Sequence, residues 1–154
     1  MPKPSEDSQT PESRWLLPED FEYLCFDLAR KLMTSKEPIP DYSTHDNALL
    51  ESALGTPRQS YCSQLLYPTL IKQATILFYS IIKNHPFRNG NKRIAVMALL
   101  TFLALNQKWF NMTPILLYDL ACFVSSSLPI KRDIILEETE DVIEKYLTDF
   151  PKSG

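Results

Sequence analysis

The segment that most restricts the fold is IAVMALLTFLAL, residues 94–105, which is apolar on every side apart from Thr101. In a soluble protein a helix without a polar face belongs inside, so this segment is expected at the centre of a helical core. It is too short to cross a bilayer, which takes about 20 consecutive apolar residues, and no membrane association is expected. Just upstream, Leu70, Ile71, Ala74, Leu77, Phe78, Ile81 and Ile82 recur at three- and four-residue steps. That spacing predicts an amphipathic helix over residues 68–84. It should halt at His85-Pro86, because a residue before proline is pushed out of helical backbone.

Further helices are expected around this pair. Phe21, Leu24, Cys25, Leu28, Ala29 and Leu32 predict one opening at Pro18, where proline suits the first turn and Glu19 and Asp20 suit the positive end of the dipole. A short helix is expected over 47–54, stopping at Gly55-Thr56-Pro57, and two more over 114–126 and 133–147, the last amphipathic through Ile134, Ile135, Val142, Ile143 and Leu147. Residues 108–111 read as a connector, and residues 39–47 as an exposed loop or short extended segment. No alternating β-branched runs suggest a large sheet. The expected fold is therefore all-α, one domain over residues 15–154 around a single buried helix. Residues 1–14 are polar and rich in Pro and Ser, and read as a flexible tail rather than a signal peptide.

Composition narrows the function. A net charge of −3, from 16 Lys and Arg against 19 Asp and Glu, argues against general nucleic-acid binding. The only glycines are Gly55, Gly90 and Gly154, so neither common glycine-rich nucleotide loop can be written. Cys25, Cys62 and Cys122 form no C-x-x-C pair, which makes small buried thiols the default reading and a reducing cytoplasm the expected compartment.

The chemistry is concentrated in His85-Pro86-Phe87-Arg88-Asn89-Gly90-Asn91-Lys92-Arg93, between the two strongest helices. It comprises a helix end, a tight bend and a helix start. A helix N-terminus presents unpaired N–H groups and positive dipole charge to an anion. Lys92 and Arg93 beside that end oppose the dipole and favour an anionic ligand. Gly90 allows close backbone approach or positive φ, and Asn91 can cap the helix or bond a ligand. The candidate phosphate-binding residues are Arg88, Gly90, Asn91, Lys92 and Arg93. His85 is the candidate general base, since neutral imidazole can take a hydroxyl proton near neutral pH.

The nine residues closely resemble the Fic/Doc signature H-P-F-x-[D/E]-G-N-[G/K]-R in its death-on-curing form, which has Lys where AMP-transferring members have Gly. LLESAL at 49–54, LYPTL at 66–70, SIIKN at 80–84 and ALLTFLALN at 98–106 extend the likeness. The resemblance implies a helical bundle with the bend between two central helices, His85 as catalytic base, Phe87 as core anchor, and Gly90, Asn91 and Arg93 on phosphates. It further implies ATP as substrate. The γ-phosphate would go to a threonine of elongation factor Tu, as in kinase members that halt translation. Lys92, and the absence of a second Arg three residues after Arg93, favour this over AMP transfer. Ile39, Pro40, Asp41, Tyr42 and Ser43 match the family's flap, expected to dock target backbone as a short β-strand.

One position departs from the pattern. Asn89 stands where the family has the Asp or Glu that binds magnesium, a cation that favours carboxylate oxygen. Weakened magnesium binding is therefore expected, and a catalytically impaired binding module is the alternative reading beside AMP transfer. No Glu is followed by Gly or Asn, so the inhibitory motif [S/T]-x-x-x-E-[G/N] carried by many Fic proteins is missing. A separate antitoxin is the expected partner.

Overall fold

The structure is a computed structural model and describes residues 13–33, 35 and 37–151. The first helix, α1, opens at Pro18 as expected, with Glu19 and Asp20 in its first turn. It runs as Pro18–Phe21, a π-helical turn Glu22–Phe26, and Asp27–Leu32. The π turn rotates the apolar face by the equivalent of one added residue. Phe21, Cys25, Phe26 and Ala29 are buried, whereas Leu28 and Leu32, placed on the inner face by a regular period, are exposed. Thr101 Oγ1 donates to Leu24 O at 3.3 Å, partnering a carbonyl within the π turn. Burial pushes the Cys25 thiol up to about 12, so it stays protonated. Cys62 departs from the buried-thiol reading and is exposed, while Cys122 is half-buried.

The remaining helices are α2 (Asn47–Gly55), α3 (Leu70–Asn84), α4 (Asn91–Leu105), α5 (Pro114–Ser126) and α6 (Arg132–Tyr146). Asp46, Thr69 and Thr113 cap α2, α3 and α5, each accepting a backbone N–H three residues on. Helices α3 and α4 pack against each other most extensively. In α4, Ile94, Ala95, Val96, Ala98, Leu99, Phe102 and Leu103 are buried, as the apolar run predicts.

The centre is nevertheless shared. Helix α3, amphipathic by its sequence, is buried continuously from Gln73 to Ile82, because α2, α5 and α6 pack on the sides that α4 leaves free. Its polar residues are satisfied locally. Gln73 Nε2 donates to Tyr67 O while its Oε1 accepts from Ser13 Oγ, and Thr75 Oγ1 donates to Ile71 O. Ser13 and Arg14, assigned to the tail, are docked: Arg14 N–H donates to Asn106 Oδ1, and Asn106 Nδ2 returns a bond to Arg14 O. Residues 1–12 of the expected tail lie outside the described residues.

Two short antiparallel strand pairs complete the described fold, one a hairpin and the other joining distant parts of the chain. β1 (Ser60–Tyr61) pairs with β2 (Gln64–Leu65), and β3 (Lys108–Phe110) pairs with β4 (Leu147–Asp149). The expected connector at 108–111 is thus largely a strand. Three residues are too few to display a two-residue period. Among the described residues no helix is long and apolar enough to cross a membrane.

Candidate functional site

His85 ends α3 in left-handed backbone, φ 54° and ψ 54°, with its N–H on Ile81 O at 3.2 Å. The turn throws the ring out of the helix, and the residue is exposed. Pro86 and Phe87 turn inward. Phe87 is 3% exposed and packs its ring on Phe21, Phe26, Tyr42 and His45 at centroid distances of 6.2, 5.5, 6.2 and 5.8 Å. Asp46 N–H donates to Pro86 O at 2.8 Å, tying the bend to the start of α2.

Asn91 closes the bend from within. Its Oδ1 accepts from Phe87 N–H at 3.0 Å and its Nδ2 donates to Phe87 O at 2.7 Å. The buried amide is therefore spent on loop geometry, which leaves the Asn91 backbone N–H rather than its side chain for a ligand. Gly90 sits at φ +84°, and a β-carbon there would lie 2.6 Å from Ile39 Cγ1. Only glycine meets both demands. Helix α4 begins at this point with no side-chain cap and no acidic residue in its first turn, and Ile94 N–H on Gly90 O starts its internal ladder. The first-turn N–H groups and dipole thus face the bend with Lys92 and Arg93 beside them, a strongly anion-favouring end.

A cleft of about 680 Å³ gathers His85, Asn89, Gly90, Asn91, Lys92 and Arg93 along one side. That volume lies in the range of small-molecule sites. Arg88 is exposed and does not line it. Arg93 is 8% exposed, and its guanidinium donates to Met33 O at 3.2 Å and Glu37 O at 2.7 Å. Expected on phosphate, Arg93 here also anchors the loop that leaves α1. Asn89 Nδ2 reaches Pro38 O at 3.5 Å, a long contact to the same loop.

Residues 39–43, matched to the flap, form no strand with another part of the chain. Asp41 Oδ1 accepts from Ser43 N–H and caps a 3-10 turn over Tyr42–Thr44. Hydrogen bonds from Ser43, backbone first, hold the Asp41 carboxyl below its usual range. Ile39 is buried over Gly90, Pro40 and Tyr42 are half-buried, and only Asp41 and Ser43 are exposed. The prolines correctly forbid helix there, but the aromatic contact of Tyr42 with Phe26 at 4.9 Å draws the loop inward. The part of the loop that lines the cleft lies earlier, at Met33, Ser35 and Glu37.

Sequence reasoning also missed the wall contributed by α5, including Ile115, Tyr118 and Asp119. The signal was present. Ile115, Leu116 and Phe123 are exposed although Leu117, Leu120, Ala121 and Val124 already fill the inner face, so α5 carries apolar residues beyond those its core face needs. Among the described residues no group of three or more His, Cys, Asp or Glu could hold a metal ion. Near the bend, oxygen donors come from the Asn89 amide, with Glu37 and Asp119 as the acidic residues lining the cleft.

A family model described as "Fic/DOC family" matches residues 20–103, which include α3, the bend and α4 as far as Leu103. The protein named "Toxin Doc" from Mycolicibacterium smegmatis is 35% identical over 66 residues, 43% of this chain and 51% of the relative. The chain thus spans about half the length of that curated relative. No solved structure matches.

Proposed function

The chain belongs to the Fic/DOC family, and on that premise we propose that it is a toxin that transfers the γ-phosphate of ATP to a Thr or Ser hydroxyl of a translation factor, of the elongation factor Tu kind. The relative's name, Toxin Doc, supports the toxin reading. A separate antitoxin restrains it, and both act in the cytoplasm. The observation that carries the reading is the convergence of an exposed imidazole and an uncapped helix N-terminus on one cleft.

The steps follow from those groups. N–H groups at the start of α4, with Lys92, hold triphosphate oxygens, and Arg93 joins them where the loop carbonyls release it. A target hydroxyl enters beside His85. Its oxygen forms a bond to the γ-phosphorus as a ring nitrogen of His85 takes the proton. The bond from that phosphorus to the β,γ-bridging oxygen breaks, and ADP leaves with the electron pair. Magnesium, when bound, neutralises phosphate charge, and Asn89 Oδ1 is the motif oxygen available to it. Lys92 favours γ-phosphoryl transfer by placing a long cation where nucleotidyl transfer needs open space at the α-phosphate.

ATP labelled separately at the α and γ positions tests this against a cell extract containing the target. Label reaching protein from the γ position alone is expected. Transfer from the α position would replace the reading with nucleotidyl transfer, and transfer from neither would make the chain a binding module.

A further inference from the structure

The proposed site is rich in cations but has an amide at the one motif position suited to a metal. Magnesium carried by a nucleotide takes one or two carboxylates beside phosphate oxygens. Resting on the phosphotransfer reading above, we propose that Glu37 supplies the missing carboxylate, so that the metal ligand comes from the loop after α1 rather than from the bend.

Two contacts bring this residue to the motif. Arg93 Nη2 donates to the carbonyl of Glu37 at 2.7 Å, and Asn89 Nδ2 reaches the carbonyl of Pro38 at 3.5 Å. The residues on either side of the Glu37–Pro38 peptide are thereby tied to positions 93 and 89. Both ties use backbone oxygen and leave the carboxylate out. None of the ion pairs among the described residues engages it, and the residue is exposed and lines the cleft. Burial of Ile39 over Gly90 fixes the loop two residues further on. Asp119, the other acidic residue lining the cleft, stands on α5 without a hydrogen bond to the motif among the described residues. Glu37 and Asn89 together then offer one charged and one neutral oxygen, enough for a cation that keeps phosphate and water ligands.

The test uses the full chain with His85→Ala to prevent turnover. ATP affinity is measured by calorimetry with magnesium and with a chelator, and manganese bound with ATP is followed by paramagnetic resonance. Glu37→Gln is expected to remove about tenfold or more of the metal-dependent gain in ATP affinity, the scale on which even outer-shell partners act. Affinity in chelator stays unchanged, and the manganese spectrum is altered. Adding Asn89→Asp to Glu37→Gln restores the gain, and Asp119→Asn does not reduce it. An unchanged gain in Glu37→Gln, an equal loss with and without metal, or a loss confined to Asp119→Asn overturns the assignment while leaving ATP binding intact. A parent chain that binds no ATP in either condition overturns the phosphotransfer reading, and the assignment with it.

Discussion

Replacing His85 with alanine is expected to lower phosphate transfer by about 10²–10⁴-fold, the usual contribution of a positioned general base. ATP affinity should hold, because the phosphate-binding groups lie across the bend at the start of α4. Stability should also hold, since the residue is exposed and its hydrogen bond among the described residues is a backbone one. Alanine is not ideal in the left-handed conformation at φ 54°. His85→Asn is the companion variant, because asparagine tolerates that backbone and offers no base of comparable strength. Transfer from γ-labelled ATP and growth on induced expression check the result. Both variants should be inactive and the wild type should arrest growth. A His85→Asn protein as active as the wild type would remove the imidazole from the mechanism.

The second large effect is on stability. Phe87→Ala is expected to cost about 3–5 kcal/mol, the range for truncating a buried phenylalanine. Phe87 is the hub of a ring cluster, with Phe21 and Phe26 from α1 on one side and Tyr42 and His45 from the following loop on another. Its own N–H and C=O are both held by Asn91. Loss of the ring leaves a cavity at the junction of α1, the 3-10 turn and the bend, and these can collapse into it only by moving His85. Urea unfolding followed by circular dichroism measures the change. Phe87→Leu should lose much less and keep more transfer activity. A loss below about 1 kcal/mol for Phe87→Ala would mean that the bend is held by other contacts, because surface changes fall in that range.

Much of this arrangement was legible in the sequence because its signals are local. The apolar run at 94–105, the His85-Pro86 stop and Gly90, one of only two internal glycines, place the bend without reference to anything distant. Helices α2, α5 and α6 follow from local residue patterns for the same reason. Other features depend on partners far along the chain. The π turn in α1 is matched by Thr101, which lies 77 residues away from Leu24. Met33 and Glu37 are held by Arg93, Ile39 packs over Gly90, and no property of those residues announces it. Continuous burial of α3 reflects how many helices surround it, which its own amphipathic pattern understates. Asn91 shows the same limit at the site: its residue type allows ligand contact, but the Phe87 backbone is nearer.

Triphosphate lying at the start of α4 with an imidazole beside it is the arrangement on which the proposed transfer depends. The most direct measurement is a crystal structure of the chain with a non-hydrolysable ATP analogue. It should show phosphate oxygens on the N–H groups at 91–93, with the His85 ring facing the γ-phosphorus at a distance that admits one hydroxyl. A nucleotide bound elsewhere with this cleft empty, or the ring directed away from the phosphates, would contradict it.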